Sequence, residues 1–437
     1  MNPLRVWQVA ALTLLLAGAA WILPHGNLLH VGAVPPFLAG MALMSLGYLV
    51  ALHVGGFSVA LFWMVTVGLR LALLAMEPGD DIFRYLWEGR LLGAGVNPYV
   101  HPPNAPELSL LRDAMWEKIG HPHYTAIYPP LAEITFAVLA WLSAGVTSLK
   151  AVIALADLGV CALLVRRFGT ARTLVYAWNP LVLYCFAGGG HYDSLFILAL
   201  VAAWLAWEAS PRRVPLAVAL AGAAVAFKWM ALPIVAWMLW RTWKTIGPRR
   251  TTPLLILGTL PFVLGWLAVC AWTGEWTTRL APLEFARHAR SAEFLPALLD
   301  AIPGIELVND VFVPPLLLAW AVAIFRCRRF AHAAEWMLFS AFVLSPMLHA
   351  WYFTWLLPFA VLTRNRGAIA LNVTGTLYFI MCHRISMGEV WTLCWWERAL
   401  IWLPFVAGFL WSRLRHPRRA PGEARAALTD AVAATGT

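Results

Sequence analysis

Residues 128–143 read YPPLAEITFAVLAWLS, and whether this stretch crosses a membrane decides how the rest of the chain is threaded. Its apolar run, 131–143, has 13 residues. A spanning helix needs roughly 17–25. The run starts on Tyr128-Pro129-Pro130 and carries Glu133, features that suit a helix resting in the interface or dipping into the bilayer and returning. We read 131–143 as an interfacial or re-entrant helix on the outer side.

Composition supplies the membrane. The chain is 61% hydrophobic and 12% charged, with a mean hydropathy of +0.71. Soluble domains are roughly 45–50% apolar and about 25% charged. The fold class is therefore an all-α polytopic membrane protein. Short basic clusters punctuate it at Arg166-Arg167-Arg172, Arg212-Arg213, Arg241 to Arg250, Arg326-Arg328-Arg329, Arg364-Arg366 and Arg413 to Arg419. Short loops rich in Lys and Arg stay in the cytoplasm. With 131–143 left out of the count, every cluster falls on that side.

Spans are then expected near 6–23, 36–54, 57–76, 148–166, 172–186, 192–208, 214–227, 229–241, 252–272, 312–326, 332–344, 350–363, 367–382 and 393–412. They form one transmembrane domain, 1–412, with both termini inside and outer loops at 77–147 and 273–311. A basic, then Ala- and Gly-rich tail at 413–437 is expected to be disordered in the cytoplasm. The run 6–23 follows Arg5 and contains Ala17-Gly18-Ala19, which mimics a cleavage site, but Trp21-Ile22-Leu23 prolong it, so it is expected to stay as the first span. The net charge of +10 is scattered between apolar runs, so nucleic acid is not an expected partner. Cysteines 161, 185, 270, 327, 382 and 394 lie in or beside apolar runs without a CxxC, and read as packing residues rather than zinc ligands or a disulfide framework.

Some runs are short. At about 1.5 Å per residue, 214–227 and 229–241 each cover roughly 20 Å of a hydrocarbon core about 30 Å thick. Their shared turn, Phe227-Lys228-Trp229, is then recessed below the outer surface. The same holds for Gly188-Gly189-Gly190-His191-Tyr192-Asp193 and for Ser345-Pro346-Met347-Leu348-His349-Ala350-Trp351-Tyr352. Non-helical backbone at membrane depth is tolerated only where protein buries it or water fills a cavity. Three such turns imply one cavity open to the outside. The rival reading, a single helix over 214–241, reverses every downstream basic loop.

Residues 78–103, PGDDIFRYLWEGRLLGAGVNPYVHPP, bring two carboxylates to the same side. Asp80 stands where a helix N-cap belongs, after Pro78-Gly79. The helix is expected to reach about Gly93 and to lie amphipathically on the outer interface. Asp81, Arg84 and Glu88 share one face, with Ile82, Leu86 and Gly89 opposite. The positive helix end keeps the carboxylates ionised, as a general base requires. The plainer alternative is a cap plus a surface Asp–Arg pair.

The run Asp81-Ile82-Phe83-Arg84-Tyr85-Leu86-Trp87-Glu88-Gly89-Arg90, followed by Gly95-Val96-Asn97-Pro98-Tyr99, resembles the first outer loop of GT-C superfamily glycosyltransferases. It is most similar to prokaryotic mannosyltransferases that use polyprenyl-phosphate-linked mannose. Ile127-Tyr128-Pro129-Pro130-Leu131, then Trp178-Asn179-Pro180 through Gly190-His191-Tyr192-Asp193, then Ser345-Pro346 through His349-Ala350-Trp351-Tyr352 agree in order. The resemblance covers about residues 57–365. It departs in placing three spans before the carboxylates, where many relatives have one, and in its 25 tryptophans.

The resemblance implies a GT-C-like bundle of about 11–14 transmembrane helices with outer interfacial helices. It implies an inverting transfer on the outer face of the cell inner (plasma) membrane, moving mannose from a polyprenyl-phosphate donor to a lipid or glycan acceptor. Asp81 is the expected general base, with Asp80 as second choice or as an orienter of the acceptor. Lys228, Arg90 and His349 are candidates for the donor phosphate. His191 and Asp193 read as an orienting pair or as ligands of sugar hydroxyls, and Tyr128 and Tyr352 as lining of the sugar site. Each has a structural alternative: Lys228 as partner to a carboxylate, Arg90 as a snorkelling side chain, the histidines as packed residues, the tyrosines as interface aromatics.

A divalent metal is compatible with two carboxylates and a nearby His, but no ligand spacing is diagnostic. Neither a Walker A sequence nor a Rossmann glycine pattern is present, which argues against a nucleotide-sugar donor or ATP coupling. Two other classes compete. A transporter or lipid-linked-sugar flippase explains broken helices and recessed charges, but predicts inverted repeats, and no clear internal symmetry is visible. A non-catalytic scaffold predicts no convergence of polar residues.

Overall fold

The computed structural model describes residues 3–142, 145–277, 283–304 and 307–415, and the chain is 77% helical. No strand occurs among the described residues; one isolated bridge pairs Ser291 with Met347. Among the described residues six helices are long and apolar enough to cross a membrane: 3–25, 34–54, 146–168, 248–273, 309–326 and 366–386. The protein is an all-α polytopic membrane protein, as composition required. The expected disordered tail lies outside the described residues from 416 onward; its first three residues continue the last helix, Trp395–Arg415.

The first two helices, Pro3–Ile22 and Val34–Val54, touch backbone to backbone. A Cβ on Gly18 would sit 2.6 Å from the carbonyl of Gly40, so only glycine permits the approach. Small residues at such contacts are how helices associate where lipid removes the hydrophobic drive. Helix Val59–Leu73 begins on Ser58, whose Oγ accepts from the Leu61 amide.

Inside this helix stands a charged network that local patterns did not disclose. Arg70 is fully buried and its Nε donates to Asp157 Oδ2 at 2.7 Å, on helix Val146–Phe168. Its Nη1 donates to the carbonyls of Thr66 and Ala177 at 2.9 and 3.0 Å. Tyr176 donates its hydroxyl to the other Asp157 oxygen at 2.7 Å. Both charges are thus paired and hydrogen-bonded, the condition under which burial is tolerated.

A second cation sets the height of the following loop. Lys150 Nζ donates to the carbonyls of Leu73, Leu74 and Met76 at 3.2, 3.1 and 2.5 Å, where helix Val59–Leu73 leaves its last carbonyls without helical partners. The chain then turns, and the Gly79 amide donates to the Gly189 carbonyl at 3.0 Å. That bond aligns Asp80-Asp81 with the Gly189–Asp193 turn.

The stretch 128–143 forms helix Pro130–Trp141, twelve residues and about 18 Å long. It packs on helix Asp81–Gly93 so closely that a Cβ on Gly89 would meet the Phe136 carbonyl at 2.4 Å. Two expectations for the 81–93 helix need correction. It is not an amphipathic helix with an open polar face, because Arg84 and Glu88 are buried along with Ile82, Leu86, Trp87 and Leu91. Arg84 makes this tolerable by pairing with Glu88 at 2.8 Å and donating to loop carbonyls. Asp80 holds the N-cap position but is helical in backbone and makes no capping bond.

All three expected breaks are present. Helix Pro180–Leu183, capped by Asn179 through the amides of Leu181 and Val182, runs into a π-helical turn at Tyr184–Gly188 before helix Asp193–Ala209 starts. Helix Val214–Phe227 ends at Lys228, whose backbone is extended, and Leu232–Ile246 resumes; a single helix over 214–241 is not formed. Helix Phe330–Leu344 ends before Ser345–His349, and the chain resumes at Ala350. Arg413, in the last helix, pairs with the buried Glu335, which also accepts from Thr363 and Asn365.

Candidate active site

The three breaks converge on the start of helix Asp81–Gly93. The π-helical turn at Tyr184–Gly188, a device frequent at functional sites, lets the His191 amide reach back to the Cys185 carbonyl at 2.9 Å. His191 Nδ1 then lies 3.3 Å from Asp81 Oδ2. The Tyr85 hydroxyl, one turn along, donates to the same oxygen at 3.3 Å.

The two carboxylates differ in environment. Burial acts to raise the Asp81 pKa, but contact with His191, and the charges of His191, His349 and Lys228, outweigh it and draw it down to about 2. Burial and the charge of Asp81 push Asp80 up to about 6. Near neutrality Asp81 is fixed as a carboxylate, while Asp80 titrates close to working pH.

Behind them, rings stack. The His191 imidazole lies on the Trp351 indole with centroids 3.7 Å apart, and the other side of the array is His349, 4.6 Å from Trp351 and nearly parallel to it. His349 Nδ1 is 2.7 Å from the Tyr378 hydroxyl. The second long loop braces this turn: the Ser291 amide donates to the Pro346 carbonyl at 3.1 Å, the Leu348 amide donates to the Ser291 carbonyl at 2.8 Å, and the Trp391 indole donates to Ser291 Oγ at 3.1 Å.

Lys228 and Asp193 form the far wall. Lys228 Nζ is 3.0 Å from Asp193 Oδ1, which also accepts from the Trp355 indole at 2.9 Å. The ammonium sits 4.8 Å from the ring centres of Tyr192 and Tyr352 and 5.5 Å from Trp355. Cation–π attraction adds to the ion pair in holding it there. The Tyr192 hydroxyl donates to the Phe227 carbonyl at 3.1 Å and so fixes the break that carries Lys228.

The structure therefore brings together Asp80, Asp81, His191, His349, Asp193, Lys228 and Tyr352. Tyr128 belongs to the floor, its ring 5.1 Å from Tyr85 and 5.3 Å from Tyr192. Two expectations change. His191 and Asp193 are not a pair with each other, because helix Asp193–Ala209 starts between them and sends His191 to Asp81 and Asp193 to Lys228. Arg90 is not in the assembly: nine residues along the helix from Asp81, it makes an exposed pair with Asp113 at 2.7 Å.

Sequence reading passed over Tyr85, Trp351, Trp355 and Tyr378. Trp351 lay inside a quoted motif, but nothing distinguished it among 25 tryptophans. Among the described residues no group of three or more His, Cys, Asp or Glu side chains is arranged to hold a metal ion.

Comparison with known families decides the assignment of the chain. Residues 7–244, more than half of it, match the family described as alpha-(1->6)-mannopyranosyltransferase, N-terminal domain. The chain belongs to that family. No curated protein matches it. In this mannosyltransferase the matched region holds Asp80, Asp81, Tyr128, His191, Asp193 and Lys228. His349, Trp351 and Tyr352 come from the part of the chain beyond it.

Proposed function

We propose that the protein is a GT-C-type inverting glycosyltransferase that moves mannose from a polyprenyl-phosphate donor to O6 of a mannose-bearing lipid or glycan acceptor, on the outer face of the plasma membrane. The observation that carries this reading is the pair Asp80-Asp81, one carboxylate in contact with His191 and the other making no capping bond to its own helix, at the meeting point of three helix breaks. The family supports the sugar and the linkage.

In the reaction, the acceptor oxygen forms a bond to the anomeric carbon as the bond from that carbon to the phosphate oxygen breaks. The bonding pair leaves with the lipid phosphate, and the acceptor proton goes to Asp81. A weakly basic carboxylate suffices, because the attacking hydroxyl becomes far more acidic than a carboxylic acid as its oxygen bonds to carbon. His191 and Tyr85 hold Asp81 in place, and Asp80 orients the acceptor hydroxyl. Lys228, paired with Asp193, and His349, which burial keeps neutral near pH 7 by drawing its pKa down to about 4, meet the departing phosphate as a cation and a hydrogen-bond donor, where preorganised groups act most strongly. Tyr128 and Tyr352 bound the sugar. No step requires a metal.

The test is transfer by the purified full-length protein from polyprenyl-phosphate-mannose to octyl α-mannoside in vesicles. An α-1,6-linked product with an inverted anomeric centre is expected. Movement of the donor between leaflets with no glycosidic bond formed is the result that makes the protein a flippase instead.

Two further outcomes follow. Asp80 must be ionised to hold the acceptor, so kcat/KM is expected to fall as pH drops through about 6. Asp80→Asn is expected to lose that acid limb along with part of the rate; a limb unchanged in the variant removes Asp80 from the mechanism. Orientation is checked by thiol labelling. A cysteine at the exposed Leu110 is expected to react in intact cells, and one at the exposed Arg167 only after permeabilisation.

A further inference from the structure

The segment that passes over the carboxylates, Gly120–Thr125, has no role in the scheme above. Gly120 lies against Asp80 so closely that a Cβ there would sit 3.0 Å from Asp80 Oδ2. The next residue, His121, is exposed and adopts a left-handed backbone with φ of 53°. That conformation costs a non-glycine residue energy unless its surroundings enforce it, and such residues concentrate at functional sites.

The enforcing group is Arg84. Its guanidinium is buried and donates to the carbonyls of His121 at 3.2 Å, Tyr124 at 2.7 Å and Thr125 at 2.9 Å. Its Nε is held from behind by Glu88 at 2.8 Å. A buried ion pair thus fixes the backbone of one short segment whose exposed residues are His121 and His123. Arg84 stands three residues after Asp81 on the same helix, so the helix that carries the proposed base also dictates where this segment sits.

The imidazole itself suits a sugar. Partial burial of the ring, then His123 and Arg84, push its pKa below the ordinary value and favour the neutral form, while Asp81 acts the other way. A neutral imidazole donates from one nitrogen and accepts at the other, which matches the paired hydroxyls of a pyranose.

We propose that His121 is an acceptor-binding residue that hydrogen-bonds a hydroxyl of the acceptor mannose beside Asp80, and that Arg84 is the positioning residue that holds it there. The inference rests on the transfer reading above and goes beyond it in naming the acceptor wall.

The experiment measures KM for octyl α-mannoside and for polyprenyl-phosphate-mannose separately, with the full-length protein. His121→Gly removes the imidazole while easing the backbone, so its thermal midpoint is expected to hold or rise. Its acceptor KM is expected to rise about five- to tenfold, the worth of one or two hydrogen bonds, with donor KM within about twofold of wild type. His121→Asn, which tolerates the left-handed backbone and keeps a donor and an acceptor, is expected to recover part of the loss. Arg84→Lys keeps the charge beside Glu88 but cannot span three carbonyls, and is expected to raise acceptor KM in the same selective way. An acceptor KM unchanged in His121→Gly, or donor and acceptor KM rising together, overturns the assignment while leaving the transfer reading standing. No turnover by wild type overturns the transfer reading and this inference with it.

Discussion

Asp81→Asn is expected to lower mannosyl transfer by about 10²–10⁴-fold, the range a positioned general base supplies. The amide is nearly isosteric with the carboxylate and can keep its contacts to Tyr85 and His191, so the protein is expected to be made and inserted at wild-type levels. What it loses is the ability to take the acceptor proton. The measurement is single-turnover transfer from polyprenyl-phosphate-mannose alongside a thermal midpoint. Wild-type rates in the variant would return the role of base to Asp80.

The largest effect on stability is expected far from that site, at Arg70. Arg70→Met leaves the buried Asp157 without its cation, with Tyr176 as its remaining hydrogen-bond partner among the described residues. Removing one partner of a buried pair costs about 3–5 kcal/mol. SDS-titrated unfolding is the measurement, and the midpoint is expected to fall sharply. The double variant Arg70→Met/Asp157→Leu, which removes both charges, is expected to regain most of the loss. If the single variant unfolds like wild type, the pair is not the clamp between helices Val59–Leu73 and Val146–Phe168 that its geometry describes.

These two residues mark the limits of what the sequence discloses. Asp81 was legible because its signals are local: a Pro-Gly break, a doubled carboxylate and the run that follows. The three helix breaks were legible because length alone forbids 214–227 from crossing, and Lys228 does end that helix. Arg70 and Asp157 lie 87 residues apart and each sits in an ordinary apolar helix, so no spacing joins them. The same holds for Lys228. The break that carries it followed from helix lengths, but its partner Asp193 and its three aromatic neighbours depend on how the breaks are stacked. Arg90 misled for the converse reason: it neighbours the carboxylates along the chain, but nine residues of helix carry it to Asp113.

The contact between His191 and Trp351 joins residues on either side of position 244, where the family match ends. The matched portion is therefore not a portable module. A chimaera joined there inherits its carboxylates from one parent and the indole that steadies His191 from the other. Such hybrids are expected to succeed only between parents whose Trp351-bearing turns are interchangeable. Inheritance of this activity then runs through the whole transmembrane chain as one unit.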